Sequence, residues 1–359
     1  MTNYFIKKFQ TICLIVFLTF GLVSCSSLGH HKVVSDNFNY NEVIGDASNQ
    51  QMLLNLVRLH HYDVPVFLSI SSVLTQYVYS GTIGIDVTTA NSGGFNNDSA
   101  GASNSLLYIE RPTITYTPLT GQEFAQQLLE PIERKTLFSL AHSGWPAEKL
   151  LILGIESLGP YKNIAFNTLR PEQEQSLIEF VESIQLLLKL SKNNAIGIRI
   201  DAPQQTNILY FEDNSSAESR QLWEEFKQKL NLEKDRDEFI IVNKPTGIDQ
   251  DEILLRSRSL LALMSHLSNG IVSKEEVSTV NGDMYNNELL RSKLIPISIL
   301  KSTDEPTNSF VSVEYNDNWY YIDDADKNSK QTFGIITYIY MLQSPEPPTA
   351  GPLVTVPTN

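Results

Sequence analysis

Cysteine is nearly absent from this chain, with only Cys13 and Cys25 in 359 residues. Two thiols cannot build a disulfide framework or a thiolate metal cluster. Basic residues are also in deficit. There are 27 Lys and Arg against 41 Asp and Glu, a formal charge of −14, and so acidic a chain repels phosphate backbones. That excludes nucleic acid as the expected partner. Long apolar runs are missing beyond the first 24 residues, and no unit recurs at a fixed period, which argues against solenoids and propellers. Catalytic signatures are missing as well. The chain has no G-x-S-x-G elbow, no S-x-x-K followed by K-T-G, no H-E-x-x-H, no Walker A loop and no G-x-G-x-x-G. In "AHSGW", His142 and Ser143 are sequence neighbours, a spacing that rarely makes a nucleophile–base pair. No cofactor is expected.

What is present begins at the amino terminus. Lys7 and Lys8 precede an apolar stretch from Ile12 to Val23. That is the pattern of a secretory signal and is short of the roughly 20 residues a spanning helix needs. The run Leu22-Val23-Ser24-Cys25 resembles the lipobox of bacterial lipoproteins. The resemblance implies diacylglyceryl transfer to the Cys25 thiol, cleavage before Cys25 and acylation of the new amino terminus. Small Ser24 lets a peptidase reach the backbone, and only a thiol gives the thioether. Ser26, standing where inner-membrane lipoproteins often carry Asp, favours the outer membrane, facing the periplasm. Removing residues 1–24 leaves 335 of the 359, and losing two lysines and no acid takes the charge from −14 to −16. Cys13 leaves with the signal and Cys25 is consumed, so stability must come from packing without disulfides. The mature chain is long enough for one large or two ordinary domains.

The rest of the chain mixes helical and strand periods without strict alternation, which predicts an α+β fold with largely antiparallel strands and two subdomains. The expected organisation is a signal peptide over 1–24 and a lipidated, flexible tether over 25–45. An N-terminal part over 46–192 and a C-terminal part over 193–344 follow, then a proline-rich tail over 345–359. A coil of about 14 residues spans roughly 20 Å, which would hold the folded part close to its membrane. Helices are expected over Ala47–His60, Glu133–His142, Pro146–Ser157, Pro171–Leu190 and Ile253–Leu267. Two more should open on T-x-x-E and S-x-x-E capping boxes at Thr120 and Ser215. Strands are expected over Pro65–Ile85, turning near Gly81, and over Ser105–Tyr116, Ala195–Asp201, Asn207–Glu212 and Glu238–Val242. A meander is expected over Leu294–Leu300, Phe310–Tyr315 and Trp319–Ile322. Asn91–Asn104 reads as a loop or hairpin tip. Thr332–Leu342 is apolar on all sides, so it should be buried, and periodicity leaves helix and strand tied. Leu353–Val356 has the composition of an edge strand.

The runs "QMLLNLVRLHHYDVPVFLSISS", "RPTITYTPLTGQEFAQQLLEPI", "SGWPAEKLL", "RSRSLLALMSHLS" and "YYIDDADKNSKQTF" together resemble a family of uncharacterised exported bacterial proteins, many of them lipoproteins. The likeness spans about Gln51 to Phe333. It implies export and a shared architecture, carries no assigned activity, and tilts Thr332–Leu342 toward helix.

Three groups of side chains have the chemistry of a site. "DDADKNS" sets Asp323, Asp324, Asp326 and Asn328 close together, and oxygens at alternate positions suit a hard cation. The calcium-loop pattern fails, with Ser329 and Ile335 where Gly and Glu belong, so a turn capping the next helix explains the same residues. His60, His61 and Asp63 have zinc-ligand chemistry, but adjacent helical residues diverge by about 100°. Arg58, Arg256 and Arg258 stand among apolar residues, placed either to pair with a carboxylate such as Asp323 or Asp324 or to meet an anionic ligand. The reading that fits best is a lipid-anchored envelope protein that binds or scaffolds another envelope protein. A hydrolase of envelope polymers using two carboxylates, and a lipoprotein binding a cation or small molecule, are the alternatives.

Overall fold

The computed structural model describes residues 28–92, 95–163, 171–201, 206–244, 249–273 and 291–344. The fold is α+β, as expected. The expected signal peptide, Cys25 and the expected edge strand at Leu353–Val356 in the proline-rich tail lie outside the described residues. The chain divides into two compact units, each discontinuous in sequence. One comprises Met1–Tyr62 with His266–Thr337, the other Asp63–Ser265 with Tyr338–Asn359. The division therefore does not fall near Asn193. Strands before and after that residue share one sheet, and such hydrogen bonding between distant segments leaves no local trace.

In the first unit, helix α1 covers Leu28–His60. Its last turns were expected, but residues 25–45 were expected to be a flexible tether and are helical from Leu28. No proline interrupts this stretch, and once Ala47–His60 has nucleated, adding turns costs little. The helical part of the expected tether, 28–45, spans about 27 Å at 1.5 Å per residue, so it reaches about as far as the coil would and differs in being stiff. Met52, Leu53, Leu56 and Val57 are fully buried along one stripe. The four-stranded sheet has the order β11-β12-β10-β9. β9 (Ile271–Ser273) runs parallel to β10 (Ile299–Ser302), and β12 (Asn318–Asp323) is antiparallel to both β10 and β11 (Ser309–Tyr315). Asn316 and Asp317 turn β11 into β12 with φ of 48° and 58°, the left-handed pair of a tight hairpin. The first strand of the expected meander starts later, at Ile299.

Helix α8 (Lys327–Gln343) settles the tie at Thr332–Leu342 in favour of helix. Phe333, Ile336 and Ile339 form one buried face, while Met341 is 65% exposed and Leu342 53%. The segment is therefore not buried on all sides.

The second unit opens with a two-stranded antiparallel ribbon, β1 (Phe67–Ser92) and β2 (Phe95–Leu119). The turn expected near Gly81 does not occur. Gly81 sits inside the ladder opposite Leu106, because cross-strand pairing outweighs a lone local breaker. Helix α2 (Gln122–Leu129) follows, and the capping box at Thr120 is not made. The N-cap is Gly121 at φ 99°, a conformation glycine takes without strain. Then come α3 (Arg134–His142) and α4 (Ala147–Gly154).

The six-stranded sheet has the order β4-β3-β8-β7-β6-β5. Its strands are β3 (Ile155–Leu158), β4 (Tyr161–Lys162), β5 (Ile196–Asp201), β6 (Thr206–Phe211), β7 (Glu238–Val242) and β8 (Glu252–Ser257). Only β7 and β8 pair in parallel. Strand β8 and helix α7 (Leu260–Ser268) replace the single helix expected over Ile253–Leu267. Ile253, Leu254 and Leu255 are all buried, and a short continuous apolar run has no period to distinguish strand from helix. Helix α5 (Pro171–Lys192) matches its expectation closely. Helix α6 (Ala217–Lys229) starts one residue later than its expected box implies, with Ser216 as N-cap accepting from the Ser219 amide.

Candidate functional site

The sequence-selected groups do not converge. Arg258 is 4% exposed, and its guanidinium donates to three backbone carbonyls rather than to a carboxylate. Nη1 reaches Ile152 O at 3.2 Å and Leu153 O at 2.8 Å, and Nη2 reaches Asn163 O at 2.7 Å. The expected pairing with Asp323 or Asp324 is corrected accordingly: carbonyls at the end of α4 and after β4 already solvate the charge. Burial pulls this guanidinium down to about 10, opposed by the Glu156 charge, so it stays cationic at neutral pH. Arg58 Nη1 donates to Asn55 Oδ1 at 3.4 Å within its own helix.

The "DDADKNS" carboxylates face different partners. Asp323 Oδ1 accepts from the Ala325 amide, and Asp324 Oδ1 accepts from Lys330 Nζ at 2.6 Å. Asp326 caps α8. Its Oδ1 accepts from the Ser329 amide at 3.0 Å and its Oδ2 from Ser329 Oγ at 2.6 Å, and Asn328 Nδ2 donates to Pro296 O. Among the described residues, no three His, Cys, Asp or Glu side chains are grouped as a metal site would need. Replacing the cap, Asp326→Ala, should cost about 1–2 kcal/mol, read as a lower urea midpoint with an unchanged slope. His60 and His61 also part company. The His60 Nδ1 pairs with Ser268 O at 3.1 Å, while the His61 Nε2 pairs with the Tyr320 hydroxyl at 2.9 Å.

The site that the geometry does build is a cleft in the second unit, about 900 Å³ in volume, within the range of ligand-binding pockets. One wall is a face of the six-stranded sheet. Alternation along the strands and the pairs Ile198↔Leu209 and Ile241↔Ile253 place Ile198, Leu209, Ile241, Ile253 and Leu255 on that face. The opposite wall carries Phe138 of α3, Leu151 of α4 and Leu187 of α5. Toward β8 the floor is buried. Toward β5 it opens, with Ile198 44% and Ile200 65% exposed. Strand β5 is also the last strand of the sheet, so its outer edge has no strand partner among the described residues. On its other face, Tyr210 lies over Gly197, where a Cβ would come within 2.5 Å of the ring.

Charge enters this cleft sparsely. Glu133, Arg134 and Lys135 line it at the start of α3, and Glu133 is the one carboxylate among its described wall residues. A two-carboxylate hydrolase needs a second acid roughly 5–9.5 Å away and a proton donor shifted upward. Among the described residues of this unit, the shifted carboxyls all move downward. Hydrogen bonds hold Glu179 low through Lys229, Glu238 low through Arg199 and Glu252 low through Lys244. Burial pushes Asp237 up, but hydrogen bonds from Arg220 and Trp223, with the charges of Arg220 and Lys227, outweigh it.

Sequence reasoning identified β5 and β6 as a strand pair but not the cleft. The I-G-I-R-I-D alternation of β5 was a visible signal, but its place at the sheet edge follows only from the strand order. No family model, curated protein or solved structure matches the chain.

Proposed function

We propose that this chain is a lipid-anchored envelope protein that binds an extended apolar segment of another envelope protein along β5. The observation that carries the binding half is the continuity between the apolar cleft and an open sheet edge. Added strands gain affinity from main-chain hydrogen bonds and specificity from pockets that take alternate side chains. Here the partner's alternate residues would enter the cleft beside Ile198 and Ile200, and its backbone would cover β5. The anchoring half is supported by Lys7 and Lys8, the Ile12–Val23 run and the Leu22–Cys25 lipobox. The same signals, with Ser26 and the likeness to exported proteins, favour the periplasmic side of the outer membrane. The hydrolase and cation-binding alternatives have less support, since Glu133 is the one carboxylate among the cleft's described wall residues and the Asp324, Asp326 and Asn328 groups serve as local partners.

Anchoring is tested by Cys25→Ser. One acyl chain binds only marginally and several bind stably, so losing them should raise the soluble fraction of the exported chain at least about tenfold. A variant that stays fully in the membrane pellet removes the anchor from the reading. Binding is tested by a photocrosslinking residue placed at Ile198 or Ile200 in intact cells. A discrete protein adduct is expected at both and absent at Glu225, an exposed residue of α6 outside the cleft. No adduct, or the same adduct from Glu225, counts against the strand-addition mode. Recovery of a small apolar molecule with the purified protein would reassign the cleft to that ligand.

A further inference from the structure

The ribbon β1–β2 has a division of residue types that neither the cleft nor the anchor uses. Pairing is continuous from Ser72↔Thr115 to Ser92↔Phe95, and directly opposed residues share a face. One face carries Tyr79, Gly81, Ile83, Ile85 and Val87 on β1, opposite Tyr108, Leu106, Asn104, Ala102 and Ala100 on β2. The other carries Ser80, Thr82, Gly84, Asp86 and Thr88, opposite Leu107, Ser105, Ser103, Gly101 and Ser99. Asn104 is the exception on the apolar face and Leu107 on the polar one. Thr82, Ser103 and Ser105 are exposed. The two strands pair with each other and with no third strand among the described residues, although an isolated hairpin is at best marginal in water.

The length of the divided stretch points to what covers the apolar face. Tyr79 to Thr89 is eleven residues, and Asp98 to Tyr108 another eleven. A membrane β-strand takes about 9–11. At about 3.3 Å per residue and a tilt near 40°, the stretch rises about 25 Å, the height of the apolar band of outer-membrane barrels. The Tyr79↔Tyr108 pair stands at one end, with Tyr77↔Glu110 and Gln76↔Arg111 just beyond it. That is the order of an aromatic girdle followed by interfacial charge. Asn91, Asn96, Asn97 and Asp98 gather at the tip.

A single hairpin cannot remain in hydrocarbon, because both of its outer edges would leave backbone groups unsatisfied. We infer that the β1–β2 ribbon is a membrane-spanning hairpin and that several copies of this chain join their ribbons edge to edge into one closed barrel. The Ile83–Ile85 face meets lipid and the Thr82–Gly84 face lines the interior. The smallest known barrels have about eight strands, so at least about four copies are needed. The inference does not rest on the partner reading of the cleft.

The test uses the mature chain with single cysteines at Thr82, Ile83, Gly84, Ile85, Asp86 and Val87. Each variant is labelled with an environment-sensitive maleimide dye and mixed with vesicles of phosphatidylethanolamine and phosphatidylglycerol. Positions 83, 85 and 87 should shift to the blue and be quenched by nitroxides on the acyl chains. Positions 82, 84 and 86 should be quenched by aqueous iodide instead, and crosslinking should give ladders of four copies or more. Ile85→Arg should reduce release of an entrapped dye at least tenfold, while Thr82→Arg retains it, both with unchanged thermal unfolding. Equal responses at neighbouring positions overturn the membrane-spanning hairpin, and so does dye release that survives Ile85→Arg. A period of two with only monomers on crosslinking overturns the barrel. The parental chain, labelled in parallel, reports separately on the anchor, because a thioether at Cys25 does not react.

Discussion

Arg258→Met should lower the unfolding free energy by about 3 kcal/mol, although it removes a buried charge. Two effects oppose each other. Burying a cation is costly, and apolar residues of similar volume sometimes replace buried charges without loss. Here, however, the guanidinium has no single acidic partner to be removed with it. Its partners are the carbonyls of Ile152, Leu153 and Asn163, which join the end of α4 to the segment after β4. Hydrogen bonds to a charged donor each contribute about 1.5–3 kcal/mol, and carbonyls left behind in the interior keep their desolvation cost. Ile152 O retains the Asn163 Nδ2 donor at 2.6 Å, so Leu153 and Asn163 carry most of the loss. Arg258→Lys should recover less than half, because a point ammonium cannot reach carbonyls on two sides as the planar fork does. Urea midpoints of the three proteins decide the matter. A methionine variant within about 1 kcal/mol of the parent would mean that the fork contributes little to holding α4.

The same residue shows how far the sequence could be read. An arginine among Leu, Ser and Ile residues predicts a buried cation in need of partners, and Arg258 is one. Its partners could not be read, because backbone carbonyls are identical at every position and only the tertiary arrangement selects three of them. The Asp326 cap was readable because its partner, Ser329, is three residues away. Helices with their own period, such as α5 and the last turns of α1, were legible for the same local reason.

What failed was non-local. Strand β8 looks helical by composition, and it is a strand because β7 and β3 flank it in the sheet. Gly81 looks like a turn until a partner strand of equal length is laid beside it. The exposure of Ile198 and Ile200 depends on β5 being last in a strand order of six. The cleft and the ribbon, on which the two proposals rest, both belong to this class, so no short motif marks either.

Trp223→Ala should be the most damaging single change in the six-stranded unit, at about 3–5 kcal/mol. The indole is fully buried, and its ring centre lies 5.6 Å from Phe211, 5.6 Å from Phe226 and 5.8 Å from Phe239. Phe226 also lines the cleft, so the cavity left by alanine would open beside the proposed partner site. Trp223→Phe separates packing from polarity. It keeps most of the aromatic contact and loses the bond from Nε1 to Asp237 Oδ1, 2.8 Å long, at a cost of about 1.5–2 kcal/mol. The acid limb distinguishes the two contributions. Asp237 is held below its ordinary value despite burial, by Arg220 and Trp223. A carboxyl with a lowered folded value contributes stability above its unfolded value, near pH 4, and that contribution disappears as pH falls through the folded one. Without the indole donor the folded value rises toward the unfolded one, so the phenylalanine variant should lose less stability than the parent between about pH 4 and pH 2. Parallel acid limbs for the two proteins would show that the Trp223 bond does not hold Asp237 ionised, leaving Arg220 and Lys227 to do so.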